Sequence, residues 1–434
     1  MSVTVVGVVG IVVLVSLFFT RMPIAFVMVL VGFLGFAYLG SVAAGLNLLA
    51  KDIFQVFTSD SLTVVPLFVL MGQIAFYSGI GRRMYDTTYK IMGHLPGGLA
   101  IATVGACAMF AAICGSTIAT ATTMGAVTLP EMKRYGYDVR LATGTVAAGG
   151  TLGIMIPPST VFIVYGIMTQ QSIGKLFAAG ILPGILLATL LSVTILLAVI
   201  ANPSLVGVPA SRTTLGEKIR SLSGAADMTI IFAVVMGGLF GGWFTPTEAA
   251  AIGALATLLL AVGRRQLSGD GFKRALLDTA RINCMILVII AGATIFGRFM
   301  AVSRIPFDLA GWVGGLPFPA WVVLSFIILV YIVGGCFMDG LAFLVLTIPI
   351  FYPVIQTLHY DPIWFGVVIV LLTEIAAITP PVGINVYSVS AVAPDVPLGT
   401  IFRGILIFLI PLSIGLILLI LFPSIALFLP ELID

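Results

Sequence analysis

Two proline pairs mark where this chain can do chemistry: Pro157-Pro158 and Pro380-Pro381. Both interrupt long apolar stretches. Proline lacks an N–H, so each pair frees carbonyl oxygens on the preceding turn. Freed carbonyls are hard ligands, suited to a cation such as sodium. The half-helix that restarts beyond each break points a partial positive charge at the same place, which suits an anion. At membrane depth such backbone is tolerated only where protein covers it or where it lines a polar cavity.

Side chains near the breaks add to this. Hydroxyls cluster in Gly115-Ser116-Thr117-Ile118-Ala119-Thr120-Ala121-Thr122-Thr123. They can coordinate an ion or bond a carboxylate, although Ser and Thr also bond back to their own helix. Asp339, in Met338-Asp339-Gly340, is an ionisable residue deep in an apolar stretch and therefore a functional hypothesis by default. Its carboxylate and the Gly340 backbone suit one sodium ion. Glu374 stands before the second break where Thr151 stands before the first. It serves either a proton or ion step or a buried structural role. Asn385 is placed to bond cargo or to cap backbone. Thr245-Pro246-Thr247-Glu248 fits a capping box at a helix start. Arg298 reads as a snorkelling interfacial arginine, with contact to an anionic cargo as the alternative. Cys107, Cys114, Cys284 and Cys336 form no C-x-x-C pair and read as packing residues. His94 and His359 are scattered and lack carboxylate neighbours, which argues against zinc. Ser116 as a hydrolase nucleophile lacks both a G-x-S-x-G setting and a histidine base at membrane depth, so an enzyme is not expected.

The elements that position these residues must be membrane helices. The chain has 434 residues, 60% hydrophobic and 9% charged. Soluble domains carry about a quarter charged residues, so lipid is the expected solvent. A net charge of +3 gives no case for nucleic acid. The first apolar run, to Thr20, lacks a preceding basic region and reads as a first span with its N-terminus outside. Crossings are expected at 2–20, 23–41, 62–79, 177–200, 228–244, 246–262, 282–299 and 402–429, with an interfacial segment at 42–61. Gly97–Cys114 and the stretch to Leu129 are each short for a span, and basic residues flank both ends, the pattern of a re-entrant hairpin. Ala320–Phe337 and Leu341–Leu358 form a second hairpin around Asp339. The broken crossings are 139–170 and 363–392. The segments holding Arg82, Arg83 and Lys90, then 202–226, then Arg264 to Arg281, read as cytoplasmic loops. Alternating from outside places all but Lys51, Lys175, Arg298 and Arg304 of the 20 basic residues inside, Arg21 and Arg212 included, in keeping with the positive-inside rule. Both termini then fall on the outer face.

The halves echo each other at an offset of 223: Pro130 and Pro353, Tyr137-Asp138 and Tyr360-Asp361, Pro157-Pro158 and Pro380-Pro381. An odd number of crossings between the hairpins inverts the second copy. The expected fold is an all-α polytopic membrane protein, an inverted repeat with two re-entrant helical hairpins and two discontinuous helices, which is secondary-transporter architecture.

At Gly115-Ser116-Thr117, Ile156-Pro157-Pro158-Ser159, Phe244-Thr245-Pro246-Thr247-Glu248-Ala249-Ala250, Met338-Asp339 and Thr379-Pro380-Pro381-Val382-Gly383-Ile384-Asn385, the chain resembles the large membrane subunit, DctM-type, of the tripartite ATP-independent periplasmic (TRAP) transporters. The resemblance runs nearly end to end. It implies the ion transporter superfamily fold working as an elevator, in the bacterial inner membrane. Repeat cores at 97–175 and 320–397 would move against scaffold segments at 1–96, 176–319 and 398–434. It implies sodium as the coupling ion and no other cofactor. One sodium site would fall at Gly115 and Ser116 with backbone at Gly150 and Gly153. The other would fall at Asp339 and Gly340 with Ala376 and Thr379. Cargo contacts are expected from Thr117, Thr120, Pro158, Ser159, Pro381 and Asn385. The implied partners are a small four-helix membrane subunit on a separate chain, a periplasmic substrate-binding protein, membrane lipid and a small organic anion: a dicarboxylate, keto acid or sugar acid. A binding-protein-independent sodium- or proton-coupled anion carrier of the same superfamily is the alternative.

Overall fold

The computed structural model describes residues 2–20, 22–207, 214–315 and 317–433, without the side chain of Leu215. Arg21 and Arg212 lie outside the described residues. The chain opens with α1 (Val3–Phe18), α2 (Ile24–Leu39), α3 (Val42–Phe57), α4 (Val64–Tyr77) and α5 (Ile80–Met92). The first hairpin is α6 (Gly98–Cys114) and α7 (Thr117–Arg134), followed by a broken helix of α8 (Val139–Gly150), α9 (Leu152–Met155) and α10 (Thr160–Thr169). Next come α11 (Ile173–Ala201), α12 (Leu215–Phe240), α13 (Pro246–Gly263), α14 (Gly269–Val302) and α15 (Ile305–Gly314). The second hairpin is α16 (Ala320–Gly335) and α17 (Gly340–Thr357), with its broken helix α18 (Pro362–Ile378) and α19 (Ile384–Val392). Helices α20 (Leu398–Leu421) and α21 (Ser424–Glu431) complete the chain.

The described residues are almost entirely helical, and eight helical segments are long and apolar enough to cross a bilayer. Outward faces carry large apolar side chains such as Leu197, Phe326 and Ile410, all exposed. In water that surface would drive association; in lipid it has a matching solvent. The core is built from the broken helices. Every side chain of α18 from Trp364 to Ala376 is buried, and so is every residue of α8 from Leu141 to Gly150.

Equivalent residues of the two repeats do equivalent local jobs. Asp138 caps α8 by accepting from the Arg140 N–H at 2.7 Å, and Asp361 caps α18 by accepting from Ile363 and Trp364 N–H at 2.8 and 2.9 Å. Hydrogen bonds from Arg140 also hold the Asp138 carboxyl below the usual carboxylate range. Ser116 and Asp339, again 223 apart, are the N-caps of α7 and α17. Ile156 and Thr379 leave the helix in extended conformation (φ/ψ −83/125 and −86/137) just before the proline pairs, as the residue before proline prefers. Both Pro-Pro peptide bonds are cis.

Three segments expected as basic loops are largely helical. Arg82, Arg83 and Lys90 sit on α5, whose Ile80, Met84 and Tyr85 are buried. Lys218 and Arg220 sit on α12, which starts at Leu215 behind a Thr214–Glu217 capping box. Lys273, Arg274 and Arg281 sit on α14, capped by Ser268 and laced by Asp270–Arg274 and Asp278–Arg281 pairs. A search for apolar windows sees only the part of a helix that lipid touches; caps and i,i+4 pairs extend the helix beyond it. The capping box at Thr245 and Glu248 is present as expected.

Candidate translocation site

Each hairpin tip is pressed against a break. Gly115 ends α6 with φ +60, a left-handed turn that a side chain rarely adopts. A methyl group there would meet the Pro158 carbonyl oxygen at 2.6 Å. The Thr160 hydroxyl donates to the Gly115 carbonyl at 3.3 Å. Gly153 makes the reciprocal approach: a methyl there would lie 2.6 Å from the Ser116 carbonyl oxygen and 2.8 Å from Thr120 Oγ1. Gly150 faces Ala121. In the second repeat a methyl on Gly335 would meet Ala376 Cβ at 2.7 Å, and one on Gly340 would meet Thr373 Cβ at 3.0 Å. Glycines at the first tip therefore let backbone approach backbone, and those at the second let it approach the side chains of Ala376 and Thr373.

The repeats also bond to each other. Thr117 Oγ1 donates to Glu374 Oε1 at 2.7 Å, joining the first tip to the second broken helix. Asn385 Nδ2 donates to the Ala147 carbonyl at 3.2 Å, joining α19 to α8. Between the tips lies a cavity of 130 Å³. Its polar border comes from Ser116, Thr117, Thr160, Asp339, Thr373, Glu374, Asn385 and Gln73. Its outer wall is apolar: Val69 of α4 with Ile282, Met285 and Ile286 of α14. No Lys, Arg or His borders it among the described residues.

Four helices begin at this cavity: α7, α10, α17 and α19, whose first-turn residues Thr117, Thr160, Gly340 and Ile384 all border it. Ser116 accepts from the Ala119 N–H, Ser159 from Phe162 and Asp339 from Leu341 and Ala342. Helix α19 follows Gly383, at φ +61, and has no side-chain cap. Its N-terminus is the barest of the four.

The cavity gathers Ser116, Thr117, Asp339, Gly340 and Asn385 from the residues singled out in the sequence. Gly115, Gly150, Gly153 and Ala376 stand behind it as the close-approach positions. Thr120, Pro158, Ser159 and Pro381 do not border it. The fully buried Thr120 hydroxyl returns to the Ser116 carbonyl at 2.8 Å, and Ser159 is spent capping α10. Pro158 is buried under Gly115, while Pro381 is exposed. The Thr379 hydroxyl bonds the Ile375 carbonyl at 2.6 Å. Arg298 lies away from the cavity: its Nε meets Asp52 Oδ2 at 3.4 Å, pairing α14 with the buried carboxylate of α3 rather than only snorkelling. Gln73 was legible as a lone amide in an apolar span, but nothing in the sequence shows that α4 walls the cavity. The Thr117–Glu374 bond, between residues 257 apart, left no signal.

The same architecture occurs in solved transporters. The Alcanivorax borkumensis YdaH transporter aligns with a TM-score of 0.61 over 90% of this chain and 89% of its own, at 16% identity, a likeness of fold alone. Sequence relatives are nearer. The C4-dicarboxylate TRAP transporter large permease protein DctM of Pseudomonas aeruginosa is 37% identical over 88% of this chain and 89% of its own. The sialic acid TRAP transporter large permease protein SiaM of Vibrio cholerae is 34% identical over 96% of each. Both are named as permeases rather than enzymes. Residues 11–425 match the family described as the tripartite ATP-independent periplasmic transporter, DctM component. With an inverted hairpin repeat closing on one cavity and a family match over nearly its whole length, the chain belongs to the large permease family of TRAP transporters.

Proposed function

We propose that this chain is the translocating subunit of a sodium-coupled importer for a small organic anion. It takes the anion from a periplasmic binding protein and is braced by a small four-helix membrane subunit in the bacterial inner membrane, with both of its termini periplasmic. The observation that carries the reading is the meeting of four helix N-termini at a cavity that no basic side chain borders among the described residues. The uncapped α19, with α7 and α10 behind their serine caps, presents partial positive charge of roughly half an elementary charge per helix and N–H donors, enough to hold a carboxylate without the tight grip of an arginine, while Asp339 already offsets the N-terminus of α17. A carrier must also release its cargo.

Cation coupling follows from charge. Asp339 and Glu374 border the same cavity. A carboxylate cargo beside one or two carboxylates in a medium of low dielectric needs accompanying cations. Oxygen donors suited to sodium stand at both tips: Ser116 with the backbone near Gly150 and Gly153, and the free Asp339 oxygen with backbone at Gly340, Ala376 and Thr379. The Asp339 Oδ2 is already spent on two N–H groups, which leaves Oδ1 for an ion. Repeat cores 97–175 and 320–397 carry the cavity past the remaining helices, whose wall at α4 and α14 is apolar apart from Gln73 and offers few polar contacts to break during sliding. That wall is the physical requirement of an elevator.

The test is reconstitution of this chain with its small membrane subunit in liposomes, supplied with loaded binding protein and an inward sodium gradient. Uptake above the equilibrium level that vanishes when potassium replaces sodium is the expected result. Uptake that ignores sodium would overturn the coupling. Full uptake without the binding protein would favour the independent carrier.

A further inference from the structure

Two buried oxygen atoms at the cavity have no partner among the described residues: Glu374 Oε2 and Asn385 Oδ1. Glu374 is 2% exposed and Asn385 fully buried. The amide orientation is fixed, because the Ala147 carbonyl can only accept and so takes Nδ2, which turns Oδ1 away. The Glu374 carboxylate is anchored at Oε1 by the Thr117 hydroxyl. Native interiors rarely leave buried polar atoms unsatisfied, and two at one cavity call for a ligand. Both are acceptors. Every charged side chain bordering the cavity is acidic, and among the described residues no donor reaches either oxygen.

We propose that the cargo carries a hydrogen-bond donor, a hydroxyl or an ammonium group, on the skeleton that bears its carboxylate, and that Glu374 and Asn385 read it. The inference rests on the anion-carrier reading above and narrows its substrate class. The carboxylate lies at the helix N-termini, which supply donors; the hydroxyl or ammonium lies at the two acceptors. An unsubstituted acid leaves both acceptors desolvated and unpaired, the arrangement that gives a polar site its strongest discrimination. Selection would therefore occur in the membrane chain as well as in the binding protein.

Direct binding to the purified membrane complex isolates this chain's preference. Ligand-induced thermal stabilisation in sodium chloride would be measured for three matched sets: propionate, lactate and alanine; succinate, malate and aspartate; hexanoate and gluconate. In whichever set binds, the hydroxylated or aminated member is expected to bind about tenfold tighter or more than the bare acid. Glu374→Gln keeps the shape and the bond to Thr117, loses the charge and puts an NH2 donor in place of the unpaired oxygen. It should erase the advantage of an ammonium group over a hydroxyl and leave the hydroxylated acid ahead of the bare one. If bare acids bind as tightly as their substituted partners, the carrier reading stands and this inference falls. If Glu374→Gln lowers sodium affinity while the wild-type protein shows no donor preference, the two oxygens belong to an ion instead. If no acid in any set stabilises the complex, the carboxylate-carrier reading itself fails.

Discussion

The two hairpin tips share a backbone plan and differ in charge. Ser116 and Asp339 are equivalent, and each caps the second arm of its hairpin. Beside the first tip stand the neutral Thr151, whose hydroxyl bonds the Ala148 carbonyl, and a buried Pro158. Beside the second stand Glu374 and an exposed Pro381. The first tip turns through left-handed Gly115, and the second has Met338 at that place. Duplicated backbone thus sets where helix ends meet, while divergent side chains put the acidic groups in one half. Both tips make close contacts, but the first also hydrogen-bonds outward, to Thr160 and Glu374, whereas the Asp339 bonds of the second stay within its own helix.

The comparison can be broken experimentally. The largest effect is expected at Gly115. Gly115→Val combines the left-handed turn, costing about 1–2 kcal/mol or more for a side chain, with a clash against the Pro158 carbonyl. It should reduce uptake to background with little folded protein in size-exclusion profiles, while Gly340→Ala, which faces a looser contact with Thr373, retains folded protein. Equal tolerance at the two positions would remove the contrast. Next comes Asp339→Asn. Asparagine caps a helix about as well as aspartate, so the fold should persist while sodium affinity falls about 10- to 100-fold, in keeping with the loss of a charged contact worth about 1.5–3 kcal/mol. Sodium titration of uptake checks this, and an unchanged curve would take Asp339 out of the ion site. Ser116→Ala should lower sodium affinity only a few-fold and lower stability by about 1 kcal/mol through the lost cap. Thr117→Val strips Glu374 of its donor and should cost about 1–3 kcal/mol, seen as a lower thermal midpoint. An unshifted midpoint would mean the inter-repeat bond contributes nothing. The smallest effect belongs to the ion pair of Lys133 and Asp395, both more than half exposed. Lys133→Ala should change stability by about 0–1 kcal/mol.

The sequence by itself determined the membrane class, the two hairpins, the two breaks and the repeat. Apolar runs of span length, prolines that cannot continue a ladder and aspartates that start helices are local signals, written within a few residues of where they act. The same locality hid the extents of α5, α12 and α14, because charged turns outside the lipid look like loops to a hydropathy reading. Tertiary structure alone decided which hydroxyls face the cavity. Ser116 and Thr117 do, while Thr120 and Ser159 bond their own backbone, a choice that depends on helix rotation and close glycine contacts. It alone joined Thr117 to Glu374, Asn385 to Ala147 and Arg298 to Asp52. Each of those pairs is brought together by the packing of distant helices, and no local pattern of residue types records which of many polar groups will meet.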